Sequence, residues 1–171
     1  MAATWRATGS AIAYASAKDM LDVFNDTATA KVIRVYRGTW LNNGTGAVTG
    51  VVTTCQVVRI TAASAGTAVT PVAHDTTSAA LDAATTAGHN RTTTESDVFR
   101  RFLYVNEEPV VAGVTQANWL TLIPFGEVWN AGYGDSNIEP IVCRATQGFE
   151  LLQSGSSAVG TADLEIEFTS T

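Results

Sequence analysis

Charge is scarce in this sequence. Asp, Glu, Lys and Arg make up 15% of its 171 residues, against about 25% in an average soluble domain. Only Lys18 and Lys31 are lysines, and the net charge is −6. A protein that grips nucleic acid needs a basic stripe to displace counterions from phosphates. The chain has none, and its adjacent basic pair, Arg100-Arg101, would point to opposite faces of a strand. Histidine is also rare: His74 and His89 have no further ligand at helical or hairpin spacing, so no metal site is expected. Cysteine is limited to Cys55 and Cys143. Both lie in apolar, strand-like runs, which fits buried free thiols made in a reducing compartment better than a disulfide. No apolar run approaches the roughly 18 residues of a membrane-spanning helix. The opening MAATWRATGS has no basic segment followed by an apolar run, so no secretory leader is expected. The Asn-x-Thr sequons at Asn25, Asn43 and Asn90 therefore carry no weight.

What replaces charge is threonine and alanine, 25 and 26 residues respectively. Threonine is β-branched, favours strands and keeps a hydroxyl for solvent. A surface finished this way is cheap to desolvate against a partner. The length suits one domain with a core of its own.

From Lys31 onward the text reads as strands. Lys31 to Leu41 is β-branched and aromatic, and Asn42-Asn43-Gly44-Thr45-Gly46 closes it with turn chemistry. Val48 to Thr61 follows, so a hairpin between the two is expected. Ala62 to Asp97 reads as a long surface loop with short strands at Val69 to Val72 and Ala79 to Leu81. Val98 to Val105, Trp119 to Trp129, Ile138 to Ala145, Phe149 to Ser154 and Thr161 to Thr169 complete the strand set. In the last, Leu164, Ile166 and Phe168 alternate with Asp163, Glu165 and Glu167, which predicts one buried and one solvated face. The expected fold is all-β: a single-domain sandwich or jelly roll of about eight strands, residues 31–171, preceded by an N-terminal arm. That arm, residues 1–30, is read as extended or partly helical, with Ser16 as N-cap and about two turns over Lys18 to Asn25.

Catalytic chemistry is hard to find. Both cysteines sit inside strands and no serine lies in a nucleophile elbow. Gly132-Tyr133-Gly134-Asp135 lacks the helix and lysine of a phosphate cradle and reads as a hairpin turn. Glu107-Glu108 precedes Pro109 in a turn, and Glu165 with Glu167 reads as a solvated strand face rather than an acid–base pair. Trp40, Trp119, Trp129 and Tyr133 are candidates for a sugar platform, with core or interface packing as the plainer use. No catalytic, cofactor-binding or metal residue is expected, and the protein is read as a non-enzyme.

Three stretches carry a resemblance: GTAVTPVAHDTTSAAL (Gly66 to Leu81), LIPFGEVWNAGYGDSNIEPIVCRATQGFELLQ (Leu122 to Gln153) and SAVGTADLEIEFT (Ser157 to Thr169). Together they resemble small all-β virion structural proteins of tailed bacteriophages, of the kind encoded near capsid genes. The likeness covers roughly Lys31 to the C-terminus and rests on motifs without catalytic meaning. It implies a capsid decoration or cement protein assembled in the host cytoplasm. Such a protein would form homo-oligomers and bind other virion proteins, the major capsid protein above all, with no nucleic acid and no membrane as partner. A tail or fibre component and a carbohydrate- or receptor-binding sandwich are the alternatives. On this reading Trp5, Tyr14 and Phe24 are interface anchors, large side chains set into a neighbouring subunit or the shell.

Overall fold

A computed structural model describes residues 3–26, 31–42, 51–106, 126–131, 139–155 and 160–171. Among the described residues twelve strands run in chain order: β1 (Thr4–Ala13), β2 (Lys18–Asn25), β3 (Ile33–Asn42), β4 (Val51–Ser64), β5 (Thr67–Val69), β6 (Val72–Ala73), β7 (Thr85–His89), β8 (Thr92–Asn106), β9 (Glu127–Asn130), β10 (Ile141–Cys143), β11 (Gly148–Gln153) and β12 (Thr161–Ser170). They form two six-stranded sheets in which every pairing is antiparallel. The first sheet has the order β10-β3-β12-β1-β6, with β9 also on β3; the second has the order β5-β7-β2-β11-β4-β8. The pairings nest: β1 lies beside β12, β2 beside β11 and β3 beside β10.

The protein is therefore all-β and built from two sheets. One apolar core lies between them. Ala7, Val35, Trp40, Leu164, Ile166 and Phe168 enter it from the first sheet, and Leu21, Val23, Val57, Phe149 and Leu151 from the second. The alternation in β12 follows the expected register: Leu164, Ile166 and Phe168 are all buried.

Four expectations change. Lys18 to Asn25 is strand β2, with no helical turn. Its helical look comes from a bulge: Leu151 of β11 pairs with Leu21, but Leu152 pairs with Asp19, skipping Met20. Met20 and Val23, expected with Phe24 on one side of a helix, both join the central core at a spacing of three, whereas Phe24 packs in a separate cluster, and the extra residue puts Asp19 on the same face as Asp22. Residues 4–25 are likewise no separate arm. β1 inserts between β12 and β6, and β2 between β11 and β7, so each half of the segment completes a different sheet.

The expected hairpin between Lys31–Leu41 and Val48–Thr61 does not form either, because β3 and β4 belong to different sheets. Each is apolar toward the common core, so the pair faces across the core rather than side by side. The supposed long loop, Ala62 to Asp97, is largely strand: β4 continues to Ser64, β8 begins at Thr92, and β5, β6 and β7 lie between. Of its two expected short strands, the first corresponds to β5 and β6, while Ala79–Leu81 is not strand. The turn at 43–46, the Trp119–Phe125 stretch and Gly132–Asp135 lie outside the described residues.

Candidate functional site

The three anchor candidates all lie inside the chain's own fold. Trp5, Tyr14 and Phe24 are 8%, 7% and 4% exposed, which corrects their reading as anchors for another subunit. Trp5 and Tyr14 belong to the central core, and Phe24 to a smaller one with Val58, Ile60 and Leu152. Of the sugar-platform aromatics, Trp40 is buried. Trp129 is half-buried and directs its indole N–H at the Val35 carbonyl, 3.4 Å away. Trp119 and Tyr133 lie outside the described residues.

Cys55 and Cys143 are free and fully buried. Burial pushes both thiols up to about 12, which makes them poor nucleophiles. His74 and His89 lie apart: His74 faces Glu167 at 3.5 Å. His89 titrates lower than usual because burial, helped by Lys18, disfavours its charged form. Among the described residues no group of three or more His, Cys, Asp or Glu is placed to hold a metal ion.

Polar side chains gather in two places. One is the outer face of the first sheet, where the register puts Arg6 of β1 and Arg37 of β3 on either side of Glu167 in β12. Arg6 and Arg37 each hold Glu167 Oε1 at 2.8 Å, and both also reach Glu165, at 3.1 and 3.4 Å. Arg37 extends to Glu127 of β9 at 3.7 Å. The glutamates thus act as cross-strand ties between four strands, which is a structural use of the pair.

The other gathering was not foreseen. Asp22 and Glu150 stand directly opposite each other on β2 and β11, both fully buried. The bulge at Met20 brings Asp19, 2% exposed, onto their face. Arg91 supplies the cation: its Nη1 lies 3.2 Å from Asp22 Oδ1, and its backbone N–H donates to Asp19 Oδ2 at 3.0 Å. Thr93 donates to Glu150 Oε1 at 3.1 Å. Among the described residues Asp19 Oδ1, Asp22 Oδ2 and Glu150 Oε2 are buried without a hydrogen-bond partner. Burial raises all three carboxyls above their usual range, Glu150 to about 9, and their mutual repulsion adds to the effect on Asp22 and Glu150.

A two-stranded arch encloses this cluster. β4 pairs with β8 up to Ser64 opposite Thr92, and the ribbon continues as β5 paired with β7, which then pairs with β2. The corners are Ala65-Gly66, with φ of 59° and 75°, and Asn90, with φ of 57°. Glycine and asparagine tolerate this left-handed region best. A Cβ on Gly66 would come within 2.7 Å of Arg91 Cγ, and one on Gly88 would collide with Arg91 Nε. Both positions are bare so that Arg91 can lie between them.

No protein-family model, curated protein or solved structure matches this chain.

Proposed function

We propose that the chain is a non-enzymatic structural protein of a bacteriophage particle, a capsid decoration or cement protein that associates with itself and with the shell. The observation that carries the reading is the strand order. Taking β1, β2, β3, β4, β8, β10, β11 and β12 as the frame, the sheets interleave as β1-β12-β3-β10 and β2-β11-β4-β8. We read this as a jelly roll of eight strands, with β5 to β7 and β9 as additions. Jelly rolls serve in viral shells and in lectins, and fold alone does not choose between such uses. The resemblance of Gly66–Leu81, Leu122–Gln153 and Ser157–Thr169 to virion proteins favours the shell.

The edges of the sheets support self-association. Among the described residues, the terminal strands β5, β6 and β10 have 2 to 3 residues each, whereas β8 has 15. A long edge strand is a template for another chain, and most of Thr92 to Arg101 is exposed, Val98 included. The low surface charge works in the same direction, since docking strips water from few ions.

The test is sedimentation of the purified chain, alone and with phage shells stripped of accessory proteins. The reading expects a mass that is a multiple of 18.0 kDa and saturable co-pelleting with shells. A monomer that ignores shells but is retained on immobilised glycans would replace this reading with the carbohydrate-binding one.

A further inference from the structure

The arch lies over a cluster whose charges do not balance. Asp19, Asp22 and Glu150 carry three negative charges when ionised, and among the described residues Arg91 is the one cation bonded to them. The other charged groups turned toward the cluster do not close the gap. Lys18 of β2 acts on Asp19 from a distance while its own ammonium is bonded to the Ala13 carbonyl at 2.7 Å. Glu95 of β8 adds a further negative charge near Glu150. His89, at the end of β7, favours its neutral form. Two like charges directly opposite on neighbouring strands, both out of water, cannot both stay ionised at ordinary cost.

Protons are the simplest remedy. We propose that the arch is a proton-dependent latch: Asp22 and Glu150 hold protons while the ribbon's corner at Asn90–Thr93 is closed over β2 and β11, and losing them releases this corner from the outer face of the second sheet. Thr92–Glu95 stay paired with Ile60–Ser64 of β4, so the ribbon moves as a unit, and the side-chain contacts that hold its corner down on β2 and β11 involve the cluster itself. The Asn90 amide donates to the Asp19 carbonyl at 2.9 Å, Arg91 binds Asp19 and Asp22, and Thr93 binds Glu150. Beneath the arch Ala63 packs on Phe24, Val58, Ile60 and Leu152, a small apolar patch that opening would wet.

The direction follows from linkage. The unfolded or opened chain holds these carboxyls near 4, whereas the closed fold raises them, Glu150 to about 9. The closed state therefore binds protons that the open state gives up. Its advantage is complete below about pH 4 and is lost as pH rises toward 9, by about tenfold in the opening equilibrium per pH unit for each proton released.

Hydrogen exchange of the intact protein between pH 5 and 9 tests this. After correction for the intrinsic rise of exchange with hydroxide, protection of the Asn90 and Arg91 amides, which donate to Asp19, should fall at least tenfold from pH 6 to 9, while protection across β12 should hold. In the D22N/E150Q double variant, which removes both titrations and nearly preserves shape, protection of the arch should become flat with pH. Thermal melts of the wild type give a readout that needs no variant: the midpoint should drop on raising pH from 6 to 9. A wild-type arch whose corrected protection is constant over this range would overturn the latch. So would restoration of protection at pH 9 by millimolar calcium, because a cation rather than protons would then balance the cluster.

Discussion

Trp40 donates its indole N–H to the Tyr14 hydroxyl at 3.1 Å, and the two rings stack 6.2 Å apart at 14°. Phe102 of β8 meets Trp40 edge to face at 5.8 Å. One aromatic group thus joins the link between β1 and β2 to a strand of each sheet. Tyr14→Phe keeps the ring and removes the acceptor for a buried donor, so it should cost about 1–3 kcal/mol. Tyr14→Ala also opens a cavity and should cost about 3–5 kcal/mol. Urea melts of the two variants check this. Equal losses would mean that the hydroxyl carries the whole effect and the packing of the ring none.

Deleting residues 1–24 should unfold the protein. The deletion removes β1, leaving β12 without one neighbour, and nearly all of β2, which separates β11 from β7. Trp5, Ala7, Ile12, Leu21 and Val23 leave the central core with it. The expected result is a chain that is insoluble or lacks a cooperative melt. A truncated chain that keeps a cooperative transition and its strand signal by circular dichroism would restore the N-terminal arm as a separate part.

The contrast between β12 and β2 shows what was legible in the sequence. β12 alternates strictly through most of its length, so its buried face could be read from Leu164, Ile166 and Phe168 before any coordinates. β2 carries a bulge, and a bulge adds one residue to the period. The bulge lets Met20 and Val23 share the central core at a spacing of three, as on a helix face, while Phe24 packs in a separate cluster. The partner of β3 was equally hidden, since strand pairing between distant segments leaves no trace in turn chemistry. The buried cluster did leave a signal. Asp19 and Asp22 interrupt KDMLDVF, and Glu150 stands alone within GFELLQ; carboxylates are almost never fully buried unless paired, so apolar text on both sides of them points to a covering partner.

Arg37→Ala should weaken the first sheet more than Arg6→Ala. Arg37 reaches Glu127, Glu165 and Glu167, whereas Arg6 reaches only the latter two. Both arginines are more than one-third exposed, so screening limits the effect to about 1 kcal/mol even for Arg37. In 1 M salt, where the screening length is about 3 Å, the difference between the two variants should shrink. A difference that grows with salt would show that the aliphatic stems, not the charges, carry the contribution.

Cys55 and Cys143 should react only when the fold opens. Cys55 lies on β4 and Cys143 on β10, in different sheets, and both are fully buried in the central core. Thiolate is the reactive form, and burial pushes each thiol up to about 12. Near neutral pH the thiolate fraction is therefore far below that of an exposed cysteine, whose thiol titrates near 8.5. Labelling by a maleimide or an aromatic disulfide should be slow in native buffer and rapid, at two thiols per chain, in denaturant. The native rate should rise with urea in step with the unfolding equilibrium, because access rather than chemistry limits it. Rapid native labelling of one thiol would mean that the core around it opens locally, and a mutant retaining only Cys55 or only Cys143 would say which sheet moves.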